Sequence, residues 1–218
     1  MQNAECGNTM KSTTIKTPEH WGLCMAGNEQ LFTDTLIRAA YGTAPSERFN
    51  YHEIGFGGGW TMRAAGEVLA QLPRPFQLVG YDLPDGWSMD RTTAEALLQP
   101  TGWKYQLILE SGRHVLTRAK TRLNIDVAFI DGCHGAPCVV ADFMAVAAHV
   151  APGGCVIFND ASPRCQGHHM QPHCGTGIDV RAALNQLGLL EDWLPGWRLV
   201  AETIDADHGI AVIQKENE

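Results

Sequence analysis

The sequence predicts an α/β protein built on a doubly wound, mostly parallel sheet of seven strands, with helices on both faces and an antiparallel hairpin strand at the C-terminal end. Three observations predict it. From about residue 50 onward, apolar runs of strand length alternate with amphipathic runs of helix length. The strand runs are nearly continuous in apolar residues, as a sheet buried on both faces requires. Near the C-terminus the alternation stops, and two strand-like runs follow one another across a short acidic turn.

The elements follow in order. The first twenty residues are polar and aperiodic and are expected to form a mobile tail. Residues 27–41, "GNEQLFTDTLIRAAY", place Leu31, Leu36, Ile37 and Ala40 near helical spacing, and "GTAPSER" ends that helix. Strands are expected at 50–56 (NYHEIGF), 76–83 (FQLVGYDL), 105–111 (YQLILES), 126–131 (DVAFID) and 154–160 (GCVIFND). Helices are expected between them at roughly 60–72, 89–99, 112–123 and 137–150, with a further one at 177–188. The closing pair is "WRLVAETI" (197–204) and "GIAVIQK" (209–215). There is no internal repeat and no low-complexity segment.

Composition narrows the function classes. The 218 residues are 44% hydrophobic and 18% charged, with a formal net charge of −8. No Lys/Arg cluster is present, which argues against nucleic-acid partners and against anionic membrane surfaces. No apolar stretch reaches membrane-spanning length, and the first twenty residues lack the charged start and apolar core of a signal peptide. A cytoplasmic location is therefore expected, with the seven cysteines as reduced thiols.

"HEIGFGGGW" (52–60) stands where the first strand meets its helix. In a doubly wound sheet, ligands bind beyond the carboxyl ends of the strands at this crossover. Gly55, Gly57, Gly58 and Gly59 let a ligand approach the backbone, and the free N–H groups of the next helix favour a carboxylate or phosphate there. Asp82 ends the second strand, 27 residues beyond Gly55, and can take both hydroxyls of a ribose. Its alternative role is to open the "DLPDG" turn. The dinucleotide fingerprint G-x-G-x-x-G/A fails at Trp60, and no G-K-[ST] phosphate loop exists. The pattern is that of a nucleoside site without a tightly held pyrophosphate.

"EIGFGGG", "GYDLP", "FIDGCH" and "APGGCVIFND", in this order and spacing, resemble a class I S-adenosylmethionine-dependent methyltransferase, with the closer likeness to small O-methyltransferases of the catechol and macrocin kind. The resemblance spans roughly residues 29–215. It implies a Rossmann-like domain over 46–218 that binds S-adenosylmethionine, preceded by an N-terminal tail and helical lid segment over 1–45. It implies that Glu53 holds the first loop or the amino group of the cosubstrate, that Gly55, Gly57 and Gly59 shape the pocket for its methionine end, and that Asp82 binds the ribose. Glu110 and Ser111, in "LES" where relatives carry Gly-Asp-Ser, would border the adenine. Relatives of this kind often pair, which allows a homodimer.

Asp131 and the pair Asn159–Asp160 end neighbouring strands, 28 residues apart, so their oxygens can converge. Two carboxylates and an amide oxygen suit a hard divalent cation such as Mg²⁺, and metal-dependent members of the family place ligands at matching positions. Such a metal would activate and orient an acceptor hydroxyl. Asp131 would face both the cation and the ammonium of the cosubstrate. His134, three residues on, could accept the hydroxyl proton. The plainer alternatives are capping aspartates with no metal and a surface histidine.

The cluster Cys165, His168, His169, His173 and Cys174 offers zinc ligands, but its spacing matches no standard pairing. It is expected instead as a substrate-side loop over the pocket, in which His168 or His169 could touch the acceptor. The leading reading is methylation of a small hydroxylated metabolite, a sugar or phenol. The alternatives are a non-catalytic binding module on the same fold and an NAD-dependent oxidoreductase, against which Trp60 argues.

Overall fold

Strands and helices alternate from residue 49, as the apolar runs foretell. The computed structural model describes residues 27–43, 47–84, 91–165 and 179–217. The order is α1 (Glu29–Gly42), β1 (Phe49–Ile54), α2 (Trp60–Leu69), β2 (Phe76–Asp82), α3 (Arg91–Leu98), β3 (Tyr105–Leu109), α4 (Gly112–Arg118), β4 (Ile125–Ile130), α5 (Ala136–Ala147), β5 (Val150–Phe158), α6 (Val180–Gln186), β6 (Trp197–Glu202) and β7 (Ala211–Lys215). They form one seven-stranded sheet of order β3-β2-β1-β4-β5-β7-β6.

The first five strands pair in parallel, and β7 runs antiparallel to both β5 and β6. The C-terminal hairpin is thus present, with β7 inserted between β5 and β6. The chain winds from β1 outward through β2 and β3, then crosses back to β4 beside β1. In doubly wound sheets ligands bind at such a reversal, here beyond the carboxyl ends of β1 and β4.

Two-residue alternation divides the core between the faces. Val127, Phe129, Cys155 and Ile157 point to a core completed by Phe32, Leu36 and Ala39 of α1, Met62 and Val68 of α2, and Leu98 of α3. Ala128, Ile130, Val156 and Phe158 point the other way, against Leu116 of α4, Phe143 and Val146 of α5, and Leu184 of α6. β4 is buried along its whole length, which explains its unbroken apolar run. Phe32 meets Tyr51 and Phe129 edge-on, with ring centroids 6.4 and 5.7 Å apart. The helix expected within a lid segment is therefore packed into this core.

Several boundaries differ from the sequence reading for local reasons. β1 stops at Ile54 because Gly55 turns to φ +85°. α2 stops at Leu69, four residues before Pro73, whose ring disfavours helix at the residue before it. α4 stops at Arg118, where Ala119 turns extended (ψ 122°).

The opposite end of the sheet carries a buried carboxylate with a structural explanation. Asp126 accepts the Thr43 hydroxyl, the Asn50 amide at 2.8 Å and Arg74 Nη2 at 3.2 Å. These bonds tie the end of α1, β1 and the approach to β2 onto β4. A buried carboxylate so fully paired needs no ligand.

Candidate functional site

The glycine turn is shaped by its neighbours on both sides. The Gly55 amide donates to the Tyr81 carbonyl at 2.8 Å, and the Asp131 amide donates to the Ile54 carbonyl at 2.8 Å. A Cβ on Gly55 would stand 2.3 Å from the Asp131 carbonyl oxygen. Only glycine combines that φ with that approach. At Gly57, φ is +46° and the position of a Cβ is open space. Its amide donates to Asp82 Oδ2 at 2.9 Å, while the Leu83 amide donates to Asp82 Oδ1 at 2.8 Å. Asp82 therefore stands at the end of β2, clamped to the glycine turn. Burial raises its carboxyl above the usual value, and the two amides pull it back. Gly59 forms the N-cap of α2.

Glu53 is buried and accepts the Tyr51 hydroxyl at 2.7 Å. Burial, aided by the charges of Asp131 and Asp82, raises its carboxyl well above the carboxylate range, against the bond from Tyr51. A cation placed beside it would favour its charged form. Glu110 follows β3 and pairs with Arg118 on the surface. Ser111 is the N-cap of α4, and its side chain makes no capping bond. Leu83 and Leu109, both exposed, offer apolar surface at the ends of β2 and β3.

The ends of β4 and β5 do converge. Asn159 Nδ2 donates to Asp131 Oδ1 at 2.8 Å. His134 lies between the two carboxylates, with Nε2 3.1 Å from Asp131 Oδ1 and Nδ1 3.0 Å from Asp160 Oδ2. Burial opposes charge on His134, but the hydrogen bond and charge of Asp131 and the charge of Asp160 prevail and raise its pKa above the ordinary imidazole value. Burial raises Asp131, which His134 and Asn159 partly offset. The costly carboxylate at the end of the apolar strand is thus partnered within the chain, by the Asn159 amide and the His134 imidazole. Asn159 Oδ1 is buried and has no hydrogen-bond partner. Asp160 sits at φ +55°, a left-handed conformation uncommon for a non-glycine residue.

Two further residues join Asp160. His208, from the β6–β7 connection, brings Nδ1 to 2.7 Å from Asp160 Oδ1, and Cys165 Sγ lies 3.9 Å from the same oxygen. Sequence reasoning missed His208, because a lone histidine in "DADHGI" carries no spacing signal to residue 160. His168, His169, His173 and Cys174 lie outside the described residues, as does the tail over residues 1–20. Cys138, Cys155 and Cys165 are thiols, but Cys133 is disulfide-bonded, with its partner outside the described residues. This corrects the expectation of seven reduced thiols, which rested on compartment and not on distances. Among the described residues no helix is long and apolar enough to cross a membrane.

Comparison with known proteins agrees with this geometry. A family model described as a methyltransferase domain matches residues 52–161, from β1 to the turn after β5. Among solved structures, an O-methyltransferase from Bacillus cereus in complex with SAH superposes with TM-score 0.61 at 15% identity, covering 91% of this chain and 84% of that one. A cofactor-bound protein from MTB gives TM-score 0.61 at 16% identity, over 87% and 81%. A protein from Corynebacterium glutamicum gives 0.61 at 16%, over 88% and 82%. At these identities the likeness is one of fold. Among curated proteins no sequence matches the chain.

Proposed function

This chain belongs to the methyltransferase-domain family, with the fold of class I S-adenosylmethionine-dependent enzymes, and on that premise we propose that it methylates a hydroxyl oxygen of a small metabolite, a sugar or a phenol. The observation that carries the reading is the clamp between Gly57 and Asp82, set beside the Asp131–His134–Asp160 cluster across the crevice. Asp82, held rigid by two backbone amides, presents a carboxylate edge to the ribose hydroxyls. Leu83 and Leu109 offer apolar walls to the adenine, with Ser111 at its border. Glu53 balances the ammonium of the methionine end, and Gly55, Gly57 and Gly59 keep side chains out of that space.

When bound, S-adenosylmethionine supplies an electrophilic methyl group on a sulfonium. The chain's own task is to align an acceptor oxygen with that carbon and to receive its proton. Asp131 and His134 stand where the acceptor hydroxyl would enter, and His134 is the group assigned to take the proton from its neutral form. Asp131, Asn159 and Asp160 would hold a divalent cation, whose charge would lower the pKa of the hydroxyl. The fit rests on the donor set, two carboxylates and the unpartnered buried oxygen of Asn159, which is the kind of group a hard cation takes.

Isothermal titration with S-adenosylmethionine tests the cofactor assignment. Binding in the micromolar range is expected for the wild type, with loss of binding in Asp82→Ala. Equal affinity in the two proteins would remove Asp82 from the site. Binding of NAD⁺ in place of the sulfonium compound would overturn the reading.

A further inference from the structure

The carboxylate of Asp160 faces two ways. Oδ2 meets His134, toward the crevice, while Oδ1 turns toward Cys165 and His208. The donor atoms of Asp160, Cys165 and His208 all lie within 4.8 Å of one another. They come from two separate connections, the turn after β5 and the β6–β7 loop. Methyl transfer as described above uses neither Cys165 nor His208.

The frame around these donors is built and tight. The Ala161 amide donates to the Gly209 carbonyl at 2.7 Å, Ser162 Oγ to the Ile204 carbonyl at 3.0 Å, and Arg164 Nη1 to the Asp205 carbonyl at 2.6 Å. A Cβ on Gly209 would stand 2.0 Å from the Thr203 carbonyl oxygen. Asp160 and Cys165 are buried, whereas the His208 side chain is 41% exposed and leaves a route from solvent.

We propose that Asp160, Cys165 and His208 form a binding site for one divalent cation of the zinc class, which clamps the β6–β7 loop to the turn after β5 beside the crevice. The donor chemistry selects the metal. A thiolate, an imidazole and a carboxylate match borderline ions and disfavour Mg²⁺ and Ca²⁺, which take oxygen. Zinc bonds of about 2.0–2.3 Å place tetrahedral donors roughly 3.3–3.8 Å apart, so small side-chain shifts complete the geometry. Binding forms a metal–sulfur bond and releases the Cys165 thiol proton to solvent. The fourth position stays open to water or a ligand. This site uses the opposite carboxylate oxygen from the one facing His134, and although it shares Asp160 with the cation set proposed above, its test reads metal binding and not turnover.

The test is titration of the metal-free protein with Co²⁺, then displacement by Zn²⁺, without reductant so that the Cys133 disulfide stays intact. One equivalent of Co²⁺ should bind with a sulfur-to-cobalt charge-transfer band that survives excess Mg²⁺. In Cys165→Ser the band should vanish, and in His208→Ala affinity should fall at least about tenfold. Zn²⁺ should raise the melting temperature of the wild type and not that of His208→Ala. Should Cys165→Ser fail to fold, the half-exposed His208 decides the matter alone. A wild type without the band, or a band and affinity unchanged in both variants, would overturn the proposal.

Discussion

A Cβ on Gly55 would stand 2.3 Å from the carbonyl oxygen of Asp131, so the glycine turn and the end of β4 are held in contact by the absence of one methyl group. In the function proposed above, the cofactor side and the acceptor side would therefore meet at this contact. Gly55→Ala should separate them. We expect a stability loss of about 2 kcal/mol or more, from the left-handed φ and the clash together, and loss of S-adenosylmethionine binding. Calorimetric binding that matches the wild type would show that the turn tolerates the shift.

The two aspartates that bracket β4 should behave in opposite ways. Asp126→Asn removes the charge that Arg74 meets at 3.2 Å and should destabilise by about 3 kcal/mol, with the affinity of the folded protein for S-adenosylmethionine unchanged. Asp131→Asn should leave the melting temperature within a few degrees and abolish turnover. Denaturant melts and steady-state assays on the pair check this contrast; a reversal would exchange their roles.

His134→Ala should lower kcat by roughly 10²–10⁴ if the imidazole takes the acceptor proton. A loss under about threefold would assign proton removal elsewhere. Cosubstrate affinity, measured in the same protein, should fall far less than kcat, because Asp82 is held by the Gly57 and Leu83 amides and not by His134.

Excess chelator should suppress turnover, and Mg²⁺ should restore it, if Asp131, Asn159 and Asp160 hold a hard cation during catalysis. Full turnover under chelation would remove the cation from the reaction and leave proton removal to His134 alone.

His52 gives a pH signature separate from catalysis. Burial, with the charge of His149 next, lowers its pKa to about 3, and it stays neutral against the Tyr81 hydroxyl at 2.9 Å. The unfolded chain takes up the proton first as pH falls, so this contribution to stability is present above about pH 6.5 and is lost between there and about pH 3. Urea melts across that window should show wild-type stability falling faster with acid than that of His52→Gln. Parallel slopes would contradict a buried neutral imidazole.

By itself the sequence determined the alternating elements, the parallel sheet with its antiparallel C-terminal hairpin, and the residues at the strand ends. These are legible because they rest on local periodicity and on glycine, proline and carboxylate placement, which act over a few residues. Asp82 and Asp131 could be singled out because a carboxylate ending an apolar run is locally anomalous. Asp126, at the start of its strand, was passed over because nothing nearby in sequence names Thr43 or Arg74 as its partners. Only the tertiary structure decided that β7 lies between β5 and β6, that α1 belongs to the core, and that His134 bridges Asp131 and Asp160. Only it brought His208 to Asp160 across 48 residues. The physical reason is common to these cases. Charge pairing and close packing depend on distances through space, and those are fixed when the two faces of the sheet are covered together, not by any segment alone.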